Sequence, residues 1–178
     1  MTTSAVVERQ PLAARVALIR ILFGLIWAVD ARLKWQPGFI ADFKSIVAEG
    51  AKGQAGYLKP WFDSWIHFVA LNPSLFAQLT AALETAIAIS LVLGIARRPI
   101  YLVGIVYSLL IWATAEGFGG PYGKGSTDLG TAITYAVVFA LLYLVDDLAG
   151  RSPWAIDSWI ERRVGWWDRV ARTSRGTA

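Results

Sequence analysis

Residues 112–135, WATAEGFGGPYGKGSTDLGTAITY, join two apolar segments through a glycine-rich turn. Glycine costs roughly 1 kcal/mol and proline roughly 3 kcal/mol in a helix interior, so a helix cannot run through the five glycines and one proline of residues 117–125. We expect Ser126, Thr127 and Asp128 to offer side-chain oxygens to the first free N–H groups of the following helix. The sequence therefore predicts two neighbouring helices joined by a rigid turn, with Glu116 and Asp128 on either side of it.

The composition on both sides of this turn is typical of a membrane protein. Hydrophobic residues make up 56% of the 178-residue chain and charged residues 17%, and the mean hydropathy is +0.48. Four apolar blocks each approach the ~20 residues that a helix needs to cross a ~30 Å hydrocarbon core. The blocks are residues 12–35, 74–95, 99–115 and 129–148. We therefore expect an all-α membrane protein, with a four-transmembrane-helix bundle in residues 1–149.

The residue types restrict the cofactors that this chain can hold. There is no cysteine, which excludes iron–sulfur clusters, thiolate zinc sites and thiol-attached haem. The single histidine, His67, cannot form a bis-histidine haem site within one chain. We therefore expect no haem, iron–sulfur cluster, zinc or other metal in this chain, and any redox chemistry needs an organic carrier or a partner protein.

The distribution of basic residues predicts the orientation in the membrane. Ten arginines flank the four apolar blocks on one side, and six basic residues lie on the other. Because positive charge accumulates on the cytoplasmic side, both termini are expected in the cytoplasm of a multi-pass protein of the cell (inner or plasma) membrane. The net charge of +4 comes mostly from this bias, so it indicates an anionic membrane surface and not nucleic acid.

Two regions outside the blocks have amphipathic patterns. The outer segment, residues 36–73, contains two stretches with apolar residues at helical spacing, which predict two short interfacial helices over the mouth of the bundle. His67 belongs to the second stretch and is expected to be a bystander. Residues 150–178 alternate tryptophan and isoleucine with arginine, which predicts a basic amphipathic C-terminal helix on the anionic leaflet or on a cytoplasmic partner.

A carboxylate lies near the middle of the second apolar block. Glu84 would cost several kcal/mol if it faced lipid in ionised form, so we expect it to face the bundle interior. Counting ~1.5 Å per residue from the cytoplasmic ends places Arg20 of the first block about 8 Å from the depth of Glu84. The sequence thus predicts an Arg20–Glu84 ion pair, which either fixes helix packing or serves proton transfer.

Several of these residues, taken in their order along the chain, form a pattern. They are Arg20 and Lys34 in the first block, Glu84 followed by Gly94 and Arg97 or Arg98 in the second, and then Glu116, Phe118, Pro121, Tyr122, Gly123, Asp128, Gly130 and Tyr135. Together with four spans and a long first outer segment, this order resembles the DoxX/DoxD family, over residues 20–147. That family includes the DoxD-type subunit of thiosulfate:quinone oxidoreductase.

The resemblance implies a membrane subunit that passes electrons from a small sulfur compound such as thiosulfate to the quinone pool, usually with a second subunit. In that case quinone is the acceptor, and Glu84, Glu116 and Asp128 are the candidate catalytic, proton-handling groups. The candidate substrate-binding residues are Arg20, Lys34, Tyr122, Lys124 and Tyr135, of which Lys34 and Lys124 would meet the sulfur anion at the outer mouth.

Two other functions fit the same residues. The lack of thiol and metal ligands favours a non-catalytic anchor or assembly subunit that holds a redox partner at the membrane. The buried Glu84 and the glycine-broken helix ends also suit a small-molecule carrier. Besides the lipid bilayer, the expected partner is a second redox subunit or further copies of the chain.

Overall fold

The protein is all-helical. A computed structural model of the chain describes residues 3–122 and 128–171, and no strand occurs in these ranges. The eight α-helices of the described ranges are α1 (Thr3–Lys34), α2 (Pro37–Glu49), α3 (Lys59–Ala70), α4 (Pro73–Leu93), α5 (Arg97–Ala113), α6 (Thr131–Ala149), α7 (Ile156–Ile160) and α8 (Asp168–Ala171). The predicted all-α class is confirmed.

Four of these helices coincide with the four apolar blocks, and two are long and apolar enough to cross a membrane. In the described ranges these two are Leu12–Lys34 within α1 and Pro73–Leu93, with mean hydropathies of 2.0 and 1.7. The apolar part of α6, Thr131–Asp146, is shorter. The length and composition of α1 and α4 thus support a membrane protein.

The long helices pack as two antiparallel pairs, α1 with α4 and α5 with α6. Between the pairs lies Trp27, which is 1% exposed. Its ring is 5.5–6.2 Å, between centroids, from the rings of Phe23, Tyr107, Tyr135 and Phe139. This aromatic cluster joins α1, α5 and α6 into one core.

Close packing of α5 on α6 depends on Gly104, since a Cβ there would overlap the ring of Phe139. We expect Gly104→Val to destabilise the fold by about 1–3 kcal/mol, because the ring must leave its position in the core. Gly38→Val, in α2, is the matched control, because no heavy atom lies within 4 Å of its Cβ position. Thermal unfolding in detergent measures both variants, and equal midpoints would contradict the prediction.

At one end of the bundle, hereafter the loop end, α2 and α3 cover the N-terminal half of α4. Phe43 and Val47 of α2 and Val69 of α3 are buried against Ala77 of α4. The two short helices predicted in the outer segment are confirmed as helices. Together they close one side of the space between the long helices.

At the opposite end, hereafter the tail end, residues 150–171 fold onto the bundle. The prediction of one amphipathic helix is wrong for these residues, which form the short helices α7 and α8. Asp157 accepts hydrogen bonds from the backbone N–H groups of Ala96 and Arg97 at 2.9 and 3.0 Å, and from the Trp167 indole at 2.8 Å. A straight helix would hold residues 157 and 167 about 15 Å apart. The chain must therefore bend so that Asp157 can cap α5 and still meet Trp167.

Candidate functional site

A cavity of about 670 Å³ lies at the loop end between α1, α2, α3, α4, α5 and α6. Its size is that of a site for an organic molecule, and apolar side chains form most of its wall. Its aromatic lining residues are Trp27, Phe39, Phe43, Trp65, Phe68, Phe76, Tyr107 and Tyr135. Such a cavity suits a ligand with a flat or apolar body.

Glu84 forms the centre of a polar cluster in the cavity wall. Its side chain is 2% exposed, and the Tyr107 hydroxyl donates a hydrogen bond to Oε1 at 3.0 Å. The Lys34 ammonium lies 3.7 Å from Oε2, which is too far for a hydrogen bond but close enough for an ion pair. Lys34 also sits over the Phe39 ring, 5.3 Å from its centroid. The inward position predicted for Glu84 is therefore confirmed.

The predicted Arg20–Glu84 ion pair is wrong. Arg20 is fully buried at the tail end and donates to the carbonyl oxygens of Leu91, of Val92 at 3.3 Å and of Trp154 at 2.7 Å. Since α4 ends at Leu93, the carbonyls of its last turn have no helical donor and attract a cation. The depth estimate failed because α1 begins at Thr3, so that Arg20 is level with the end of α4 and not with its middle.

Glu116 caps α6, a role that the sequence assigned to residues after the turn. Its two carboxylate oxygens accept the Ala132 N–H at 3.1 and 3.0 Å. Asp128 instead accepts the N–H of Gly130 at 2.8 Å, before the helix begins. Ser126 and Thr127 lie outside the described residues. Because Glu116 also lines the cavity, the positive end of α6 and this carboxylate form one side of the site.

The structure brings together four of the eight predicted site residues. Lys34, Glu84, Glu116 and Tyr135 line the cavity. Three others lie elsewhere. Arg20 is at the tail end, Asp128 and Tyr122 are exposed, and the Tyr122 hydroxyl donates to the Phe118 carbonyl. Lys124 lies outside the described residues.

Sequence reasoning missed two groups of the site, Tyr107 and Asp30. The hydroxyl of Tyr107 donates a hydrogen bond to Glu84. A tyrosine in an apolar span needs a partner for its hydroxyl, and this requirement was the available signal. Asp30 lines the cavity one helical turn before Lys34.

The charges around the cavity disfavour an anionic ligand. Among the described residues, three carboxylates, Asp30, Glu84 and Glu116, line it together with a single ammonium group, that of Lys34. Elsewhere at the loop end, Lys52 is paired with Glu49 and Lys59 with Asp63, each at 2.6 Å. A small dianion would meet net negative charge inside the cavity, whereas a neutral molecule with a polar end would not.

No group of three or more histidine, cysteine or acidic side chains that could hold a metal ion occurs in the described part of the chain. The polar groups that the described residues bring to the cavity include carboxylates, one ammonium group and phenolic hydroxyls. None of the family models, curated proteins or solved structures compared with this chain matches it.

Proposed function

We propose that this chain is a quinone-binding subunit of a redox complex in the cell membrane. In this proposal α1, α4, α5 and α6 are four membrane spans, both termini are cytoplasmic, and the loop end faces outward. The apolar lengths of α1 and α4 and the excess of arginine at the tail end support this arrangement. The helices α2 and α3 then lie at the outer membrane surface.

The observation that carries the proposal is the polar cluster in an otherwise apolar, aromatic cavity. A quinone has a flat neutral ring with two carbonyl oxygens and an apolar tail. The Lys34 ammonium can donate to a carbonyl oxygen, and the rings of Trp27 and Tyr135 can contact the head. Glu84 and Tyr107 are joined by a hydrogen bond, so together they can hold and move a proton beside that oxygen.

The electron donor in this proposal is a small sulfur compound such as thiosulfate. Two thiosulfate anions release two electrons as an S–S bond joins them, and quinone takes up those two electrons and two protons. Because Asp30, Glu84 and Glu116 oppose an anion in the cavity, the donor is oxidised outside it, on a partner subunit. This chain then supplies the acceptor site and the protons.

A non-catalytic anchor or assembly subunit is the second candidate. The absence of cysteine and the single histidine favour it, since the chain offers no thiol and few metal ligands for electron transfer. In this case the cavity holds a lipid or a segment of the partner, and quinone binding has no role. A small-molecule carrier is the third candidate, supported by the carboxylates of the cavity.

Photolabelling with an azido-quinone in detergent micelles, followed by mapping of the modified peptides, tests the quinone site. We expect labels on the cavity-lining parts of α1, α4 and α5, and about tenfold less label in Glu84→Gln, because a charged hydrogen-bonding group is lost. Glu49→Gln makes the same change in an exposed ion pair and should label like the wild type.

Label outside the cavity, or equal label in Glu84→Gln and Glu49→Gln, would refute the quinone site. Quinone-dependent thiosulfate oxidation by the complex purified from native membranes then separates the first two candidates. Loss of this activity in Glu84→Gln, with the complex intact, supports the redox subunit. Retained activity supports the anchor.

A further inference from the structure

A second space lies on the outside of the bundle, along the seam between α1 and α4. It is a groove of about 870 Å³, separate from the aromatic cavity. Its floor includes the small residues Ala28, Ala31 and Ala88. Leu25 and Ile89 are among its apolar walls. The groove is therefore an elongated apolar depression between two helices, and it exists because the side chains on its floor are small.

One end of the groove is polar. Arg32, Trp35 and Gln36 line it at the loop end. The Trp35 indole donates a hydrogen bond to the Thr85 hydroxyl at 3.0 Å, which ties α1 to α4 at this level. Tryptophan and arginine are typical of the depth at which lipid headgroups lie. The groove thus changes from apolar to cationic along the helix direction, as a phospholipid changes from acyl chain to headgroup.

We propose that this groove binds one anionic phospholipid, with an acyl chain along α1 and α4 and its phosphate at Arg32. The inference rests on the membrane-spanning part of the proposed function, because the groove lies on the two helices that are long and apolar enough to cross a membrane. It does not depend on quinone binding. The lipid comes from the outer leaflet, where the loop end lies.

The charge of Arg32 identifies the headgroup. Its side chain is exposed, and no carboxylate of the described residues lies within 4.0 Å of it. A guanidinium binds phosphate through two parallel hydrogen bonds, and it gains more from a headgroup with net negative charge than from a zwitterionic one.

The same charge disfavours a second copy of the chain as the occupant. Two copies that met through this groove about a twofold axis would present identical surfaces at identical depth. Each Arg32 would then lie near the other, and like charges in a membrane interface repel. A phosphate removes this problem, because it supplies the opposite charge.

Native mass spectrometry of the chain in mild detergent, with added phosphatidylglycerol or phosphatidylcholine, tests the proposal. We expect one retained phospholipid per chain and a preference for phosphatidylglycerol. Arg32→Gln should reduce that preference about fivefold, as expected for the loss of one positive charge at a headgroup. Lys44→Gln, an exposed lysine of α2 outside the groove, removes the same charge and should leave the preference unchanged.

Filling the groove should prevent retention of either phospholipid, phosphatidylglycerol or phosphatidylcholine. Ala28→Phe places a ring on the groove floor, at an exposed position where the fold tolerates it. Val29→Phe is its control, since Val29 is 62% exposed on the neighbouring face of α1 and does not line the groove. Equal lipid retention in these two variants, or equal headgroup preference in Arg32→Gln and Lys44→Gln, would overturn the proposal.

A dimer that Ala28→Phe breaks, without a change in bound lipid, would assign the groove to a second copy and also overturn the proposal. The azido-quinone experiment distinguishes failure of the quinone-site proposal from failure of the lipid-groove proposal. Loss of quinone labelling with retained phosphatidylglycerol contradicts only the proposed function, whereas intact labelling with no bound lipid contradicts only the groove.

Discussion

Replacing Arg97 with methionine is expected to destabilise the fold by about 3–5 kcal/mol, because it removes the buried cation that three carboxylates share. The guanidinium lies 2.6 Å from Asp146, 3.2 Å from Asp157 and 3.6 Å from Glu161, and none of these side chains is more than 4% exposed. Arg97→Met should also release residues 150–171 from the tail end, because Asp157 and Glu161 belong to that segment.

Two readouts check this result. Unfolding in mixed micelles gives the change in free energy, and limited trypsin digestion reports release of the tail through faster cleavage after Arg162 and Arg163. Arg98→Met is the matched control, since Arg98 donates a hydrogen bond to the Arg169 carbonyl, at 3.3 Å, and forms no ion pair with a carboxylate of the described residues. Addition of Asp146→Asn to Arg97→Met should recover part of the lost stability. Equal stability of the two arginine variants would show that the ionic cluster does not hold the tail.

Replacing Lys34 with methionine is expected to lower the free energy of unfolding by about 2–3 kcal/mol. Lys34 is the only cation of the described residues within 4.0 Å of Glu84, so its loss leaves a buried carboxylate without a nearby positive charge. Glu84→Met should cost less. The Lys34 side chain is 25% exposed and can extend its ammonium group toward water when the acid is removed. The double variant Lys34→Met, Glu84→Met should be more stable than Lys34→Met alone.

A double-mutant cycle on the free energy of unfolding measures this coupling, which we expect at about 1–3 kcal/mol. The control cycle pairs Glu84→Met with Arg20→Met, whose effects should add within about 0.5 kcal/mol, since the two side chains share no hydrogen-bond or ion-pair partner among the described residues. Coupling in the Arg20 cycle and none in the Lys34 cycle would show that Arg20, and not Lys34, is the cation that pairs with Glu84.

The position of Glu84 was predictable from the sequence, whereas its partners were not. A carboxylate in an apolar helix must face inward, and this requirement is independent of the rest of the fold. Which cation reaches it depends on the vertical offset between α1 and α4, and hydropathy does not define that offset. Lys34 was expected to bind substrate, and its ammonium group also lies 3.7 Å from the Glu84 carboxylate, a pairing that the sequence did not predict.

The capping groups of α5 and α6 were likewise not predictable from the sequence. Local rules place a cap just before its helix, and they predict a cap among Ser126, Thr127 and Asp128 for α6. The structure uses Glu116, which lies 16 residues before Ala132. For α5 it uses Asp157, 60 residues after Arg97. Contacts of this range depend on how the helices pack, so one sequence read by local patterns does not reveal them.

The cap that Asp157 places on α5 also sets an order for biosynthesis. The ribosome adds about 5–20 residues per second, so the 60 residues between Arg97 and Asp157 take about 3–12 s to make. During that interval α5 leaves the ribosome with an uncapped first turn, and Arg97 lacks Asp157 and Glu161, two of its three acids. Closure of the tail end is therefore a late event in translation, after α6 has been made.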